Sequence, residues 1–328
     1  MYTSLHIKGF RCFRDLKIDK LARINLIGGK NNTGKTALLE ALHLACGDAR
    51  EAVPLFCELY VARGLGIDLA ASLGPGVWFT DFGDGASADI ALRSGDGKGH
   101  ALRLHNRQGA GRIDLLVDGK PGETVCLSGR TIPFSREPER LLGLCLMLPA
   151  REHPRRELMA DLFSKLQEDR QEQFLIGVLT HVEPRLTDVT LLAPGGLPLL
   201  YADIGGPRRV PLPLVGEGMN RAAFLAMALW NVRRGVLLVD EIENGLHHSV
   251  MAKVWAAIAS AAKDLDVQVF ATTHSYECVE AAVEGIGEGV GEEEFLYHRL
   301  DRVEDDIVCR TYAGSTLPTA LEMSLEVR

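Results

Sequence analysis

The chain opens on three short apolar segments with different periods. LHIKGF (5–10) and LKIDKL (16–21) alternate apolar and polar side chains, which predicts strands with one buried face. Ile24, Leu26 and Ile27 make a third, more apolar strand. TALLEALHLAC (36–46) then switches to helical spacing, and Gly47 follows as a C-cap. Residues 51–72 read as a further helix. From about 86 to 130 the period returns to two in ADIALRS, HALRLHNR, RIDLLVDGK and ETVCLSG, broken by Gly- and Asp-rich turns. This predicts an antiparallel meander inserted between the first helix and the rest of the chain. Residues 155–183 read as one helical block, too short for a long coiled coil, and 188–214 as a hairpin. From 220 onward helices (220–234, 247–263, 276–285) alternate with strands (235–240, 267–273), the pattern of βαβ units and a parallel sheet. Residues 294–313 read as a closing hairpin. The expected class is α/β.

Between the third strand and the first helix stands GKNNTGKT (29–36), an uninterrupted G-x-x-x-x-G-K-[ST] loop. Gly29 and Gly34 let the backbone wrap so that the N–H groups of Lys30, Asn31, Asn32, Thr33, Thr36 and Ala37 turn toward phosphate oxygens. Lys35 reaches the β- and γ-phosphates, and the Thr36 hydroxyl ligates Mg²⁺. The helix beginning here points its positive dipole end at the anion. A nucleoside triphosphate with Mg²⁺, read as ATP, is the expected ligand.

GVLLVDEIENGLHH supplies the second half of such a site. Four apolar residues, Val236 to Val239, precede Asp240 and Glu241, the arrangement of a buried strand that ends in an acid pair. Asp240 holds the metal in this reading. Glu241, pointing the other way off the strand, polarises the attacking water. The next strand ends in ATTHS, which puts His274 at the strand tip where open α/β sheets bind ligands. There it donates to the γ-phosphate or the lytic water; the bland alternative is a histidine beside a helix start capped by Ser275. VGEGMNR (215–221) is a glycine-rich turn opening a helix, either a second phosphate site or an ordinary N-cap turn. As a phosphate site, Gly216, Glu217 and Gly218 would cap the nucleotide of a partner copy.

Composition narrows the class. The 328 residues are 46% hydrophobic and 24% charged, as in soluble globular proteins, and no apolar run reaches membrane-spanning length. The start MYTSLHIKGF lacks a signal peptide's pattern. Seven scattered cysteines without a C-x-x-C pair fit reduced thiols, and a cytoplasmic location is expected. The net charge of −8 does not point to DNA, although local basic patches remain open.

Together FRCFRDLKI, GGKNNTGKTALLEAL, VGEGMNR, DEIENGLHHS and ATTHS resemble the ABC-type ATPase heads, and within them the OLD-related (overcoming lysogenization defect) branch, akin to RecF and SMC heads. The resemblance implies a P-loop NTPase fold with a mostly parallel sheet, an antiparallel β-meander and a helical lobe. Residues 1–150 and 185–328 would form the nucleotide-binding lobe, and about 151–184 with 215–234 the helical lobe. It implies a homodimer around two ATP molecules, with Lys35, Thr36, Asp240, Glu241 (base) and His274 (switch histidine) acting in cis and 216–218 in trans. Glu243, Asn244 and His247 would lie at the dimer seam. Gly216 stands where transporter-type heads carry a serine, and Gln108, Gln167 and Gln171 do not sit in a Q-loop context, so a membrane partner is not expected.

The OLD nucleases continue into a metal-binding domain. Here the acids Glu292 to Glu294 and Asp301, Glu304, Asp305 and Asp306 read as solvated turns, so a stand-alone ATPase serving a separate effector protein, as in bacterial phage defence, is expected. A RecF-like DNA clamp is the alternative and a transporter subunit the third. Lys30 reads either as a charge-neutralising finger or as an exposed lysine. Arg11 and Arg14, flanking Phe13, read either as nucleotide contacts or as surface residues. His247-His248 lacks a third ligand at helical spacing for zinc. The arginines at 151, 155, 156 and 170 read either as a basic edge or as a solvated face.

Overall fold

The structure is a computed structural model that describes residues 1–46, 80, 86–97, 99–107, 112–117, 120–126, 145–150, 156–289, 294–314 and 317. The helix expected at 51–72, the C-cap at Gly47, Gln108, Arg151, Arg155, Glu292 and Glu293 lie outside these residues.

Strands β1 (Tyr2–Phe10) and β2 (Phe13–Ile18) form an N-terminal antiparallel hairpin, and β3 (Ile24–Gly28) leads into the loop at 29–36. The expected meander follows as β4 (Ser87–Ser94), β5 (Gly99–Arg107), β6 (Arg112–Val117) and β7 (Lys120–Cys126). It is not a separate insertion in space. β4 pairs antiparallel with β1, so hairpin and meander make one six-stranded sheet in the order β2-β1-β4-β5-β6-β7. Period-two sequence identifies strands but not their neighbours, because a backbone ladder carries no residue code.

A second six-stranded sheet takes in β3. Its strands β3, β12 (Val236–Val239) and β13 (Gln268–Thr272) are buried at every position, as parallel strands covered on both faces must be. β14 (Phe295–Val303) joins β3 in parallel and returns antiparallel as β15 (Asp306–Ala313), the expected closing hairpin. The edge strand β8 (Cys145–Leu148), parallel to β12, has no counterpart among the expected elements. Four residues offer no periodicity to read. The order across this sheet is β15-β14-β3-β13-β12-β8.

Helix α1 (Lys35–Cys46) lies between the two sheets, which explains why it is buried nearly all round. Leu38, Leu39 and Leu42 share one core with Ile7 and Ile90 of the antiparallel sheet and with Ile27, Leu238 and Phe270 of the parallel sheet. The alternate residues of those parallel strands, Leu26, Leu237, Val239, Val269 and Ala271, face a second core on the opposite side. There they meet α5 (Glu217–Asn231), α6 (His248–Asp264) and α7 (Tyr276–Gly289). Each fully buried leucine or phenylalanine in these layers contributes roughly 1.5–3 kcal/mol relative to exposure.

The helical block expected at 155–183 is two helices, α2 (Arg156–Glu168) and α3 (Glu172–Thr180). They part at Arg170, whose φ of 57° is left-handed and cannot continue a helix. The hairpin expected at 188–214 gains a third strand: β9 (Asp188–Leu192), β10 (Leu199–Asp203) and β11 (Val210–Pro211), followed by the single turn α4 (Leu212–Val215). Val189, Leu200 and Ala202 of this small sheet pack with Met159 and Phe163 of α2. Among the described residues no helix is long and apolar enough to cross a membrane.

Candidate functional site

Strands β3, β12 and β13 run parallel, so their carboxyl ends share one edge of the sheet. Along β12 the even-numbered side chains face α1. Asp240 continues that register past Val239 and so points at the first turn of α1. Thr36 Oγ1 meets it there, 3.0 Å from Oδ2 and 3.2 Å from Oδ1. Thr272 at the tip of β13 lies on the same face, and its hydroxyl donates to Asp240 Oδ1 at 2.6 Å. The same Oγ1 accepts the Glu241 N–H at 2.8 Å, and the Thr272 carbonyl accepts the Ile242 N–H at 3.0 Å. Thr272 therefore ties Asp240 and Glu241 to the neighbouring strand, a role that nothing in the threonine pair of ATTHS announces.

The loop at 29–36 closes on itself. Lys35 is buried, and its Nζ donates to the carbonyls of Gly29 (2.6 Å) and Lys30 (2.9 Å). Burial pulls its ammonium below the ordinary lysine range, against the opposing field of Asp240, Glu241 and Glu243. Thr33 Oγ1 donates to the Lys30 carbonyl at 2.9 Å and braces the turn. Gly34 has φ +90°, and a Cβ there would stand 2.5 Å from Cys12 Sγ and 2.8 Å from the Phe13 ring, so only glycine fits. The side chains of Lys30, Asn31 and Asn32 are exposed, and Ala37 is buried under the loop. Arg302 Nη2, on β14, donates to the Asn32 carbonyl at 3.1 Å.

Glu241 departs from the strand alternation expected of it. Its φ is 48°, a left-handed conformation uncommon for a residue with a side chain and typical of functional sites. The turn swings its carboxylate toward β13. Glu241 Oε1 lies 3.2 Å from His274 Nε2, and Oε2 accepts from Asn244 Nδ2 at 2.8 Å. Asn244 Nδ2 also donates to the Ala150 carbonyl at 3.0 Å, and Glu243 Oε1 accepts the His274 N–H at 2.7 Å. Glu243 and Asn244, which the family resemblance assigns to a dimer seam, thus hold the carboxylate and histidine of their own chain. His247 caps α6, with Nδ1 2.9 Å from Ser249 Oγ, and its ring lies against His248.

Other candidates stand further out. Gly216 precedes α5, and around Gly218 the nearest atoms are Gly245 O, Leu246 and Val250, while the Glu217 side chain lies against Gly245. The glycine turn therefore abuts the loop that follows Glu241. Arg11 Nε is 3.0 Å from Glu40 Oε2, a carboxylate fully buried on α1. Arg14 makes exposed ion pairs with Asp305 and Asp306.

The oxygen donors of Thr36 and Asp240, set together beneath a P-loop, are of the kind a hard divalent cation such as Mg²⁺ takes. Residues 147–280, which span Asp240 to His274, match a family described as "AAA domain, putative AbiEii toxin, Type IV TA system", and residues 4–67, which span the P-loop, match one described as "AAA domain". A curated relative, the ATP/GTP phosphatase of Helicobacter pylori (strain ATCC 700392 / 26695), is 24% identical over 97% of this chain and 97% of its own. Among solved structures, an Smc head bound to the C-winged helix domain of ScpA superposes with a TM-score of 0.61 at 14% identity, covering 98% of this chain and 99% of that one. The SMC head domain from Thermotoga maritima gives 0.53 at 14% identity, over 95% and 98%. The chain has the P-loop NTPase fold of an ABC-type ATPase head.

Proposed function

We propose that this chain binds ATP with Mg²⁺ at the loop 29–36 and hydrolyses it to ADP and phosphate. The observation that carries the reading is the convergence of three separate segments on one sheet edge: Lys35-Thr36, Asp240-Glu241 and His274. The backbone N–H groups of Gly29 to Ala37 cradle the phosphates, and Lys35 leaves the loop carbonyls for phosphate oxygens. Thr36 and Asp240 would hold Mg²⁺, which would supply positive charge beside the bound triphosphate. Glu241, its carboxylate fixed between His274 and Asn244, orients the attacking water and accepts its proton at Oε1 or Oε2. His274 Nε2, exposed at the strand tip, turns its one N–H from the Glu241 carboxylate to the transferred phosphoryl group.

In this reading two copies close head to head on two ATP molecules, and the turn 216–218 completes the partner's site. Gly216 and Gly218 stand at the start of a fifteen-residue helix whose first N–H groups favour an anion, which supports that role. Closing and opening would then signal to a separate effector protein, with the OLD-like motifs pointing to a defence system. The solved Smc head that superposes on this chain is bound to the C-winged helix domain of ScpA, an example of a head that carries a partner.

Glu241→Gln tests the chemistry. The variant should bind ATP as the parent does, accumulate as an ATP-bound dimer and lose about 10²–10⁴-fold in turnover, the range for a general base. Phosphate release and light scattering with ATP read the two effects. Parental turnover in this variant would remove Glu241 from the base role.

A further inference from the structure

Arg221, in the second turn of α5, is only 6% exposed. Its Nε and Nη2 are buried without a hydrogen-bond partner among the described residues. Burial lowers its basicity, and the acids whose field opposes that are Glu243 first and Asp240 second. Glu243 mirrors it from beyond ion-pair distance: Oε2 is buried without a partner among the described residues, while Oε1 holds the His274 N–H. α5 and the loop 243–247 are packed together where Gly218 approaches the Gly245 carbonyl. A guanidinium with unmet donors is costly in a core, and an aliphatic side chain of similar length would pack there more cheaply. Charge at this position therefore has a use other than stability.

We infer that Arg221 is a positioning residue for ATP hydrolysis, which supplies the counter-charge to Glu243 and through it sets the His274–Glu241 pair. The inference rests on the ATPase reading above. Glu243 anchors the main chain of His274, and His274 Nε2 faces the Glu241 carboxylate, so a displaced Glu243 misplaces both groups. Because Arg221 sits on the helix that Gly216 precedes, the turn assigned to the partner's nucleotide is coupled to the hydrolytic groups of its own chain.

The test compares Arg221→Met, Arg221→Lys, Glu243→Gln and the double variant Arg221→Met/Glu243→Gln in full-length protein. ATP turnover, equilibrium binding of a fluorescent ATP analogue and thermal unfolding are measured for each. Arg221→Met should lose about tenfold or more in kcat with its nucleotide Kd within about twofold of the parent. Its melting temperature should be unchanged or higher, and Arg221→Lys should recover most of the turnover. Once Glu243→Gln is present, adding Arg221→Met should cost less than about twofold more. Parental kcat in Arg221→Met, or an undiminished loss in the Glu243→Gln background, overturns the inference. So does an equal loss in the Met and Lys variants with a lowered melting temperature, the signature of a packing role. Absence of ATP turnover in the parent protein would instead remove the ATPase reading itself, whatever Arg221 does.

Discussion

The Thr272 hydroxyl donates to Asp240 Oδ1 at 2.6 Å while accepting the Glu241 N–H at 2.8 Å, so one side chain on β13 fixes both acids at the end of β12. The hydroxyl is spent on these bonds and sits on the buried face, shielded from solvent. Valine keeps the shape and removes both bonds, leaving a buried N–H unmet.

Thr272→Val should therefore lower turnover by about tenfold to a hundredfold, the rate equivalent of the ~1–3 kcal/mol lost when a buried polar partner goes unmet. It should also raise the Mg²⁺ concentration needed for half-maximal rate, since Asp240 is freed to rotate. A Mg²⁺ titration of phosphate release checks both effects. A variant with the parental Mg²⁺ curve would show that Thr36 alone orients Asp240.

Acid should destabilise the fold through two buried histidines. His298 on β14 is fully buried, with Nε2 3.1 Å from Asn25 Oδ1 and Nδ1 3.0 Å from Thr311 Oγ1. Asn25 Oδ1 only accepts, so Nε2 carries the proton and the Thr311 hydroxyl donates to Nδ1. Burial pushes His298 down to about 3, and His43 on α1 down to about 4. Both folded values lie below the unfolded one, so the unfolded chain takes up protons first as pH falls. The stability these neutral rings permit is complete above about pH 6.5 and declines below it. At pH 5 each histidine should cost roughly 2 kcal/mol relative to pH 7. Urea unfolding at the two pH values measures the sum, and His298→Gln should remove about half of the difference. An unchanged slope in that variant would locate the acid sensitivity elsewhere.

Gly34 tests the loop geometry. With φ +90° and Cys12 Sγ and the Phe13 ring where a Cβ would stand, alanine forces the P-loop and the β1–β2 turn apart. Gly34→Ala should lose about 1–3 kcal/mol of stability and the upward melting shift that nucleotide gives the parent. Thermal unfolding with and without ATP reads both quantities. A normal shift would mean that the loop cradles phosphate in another conformation.

How much of the fold and site is legible in the sequence depends on the length of the signal. The P-loop at 29–36, the apolar run 236–239 and the alternating helices and strands after 220 carry their periods over enough residues to be read directly. β8, with four residues, does not, and the break at Arg170 hides inside a continuous helical pattern. Strand alternation predicts the wrong direction for Glu241. Its positive φ turns the carboxylate to His274, a local conformation that no side-chain pattern encodes. Arg221 reads as one polar position in a helix, and only the packing of α5 on the loop 243–247 makes it a buried charge.

By itself the sequence located the phosphate-type loop at 29–36 and the acid-tipped strand ending at Asp240-Glu241, because both depend on local backbone and side-chain type. It also pointed to the parallel strands of the second sheet, through the alternation of helices and strands after residue 220. The tertiary structure alone decided that the meander extends the N-terminal hairpin and that α1 lies between two sheets. It also decided that Thr272, Glu243 and Asn244 hold the acid–histidine pair. Those are contacts between residues far apart in the chain, set by how packed layers bring strand ends together, and that information is distributed over whole faces rather than written in any one segment.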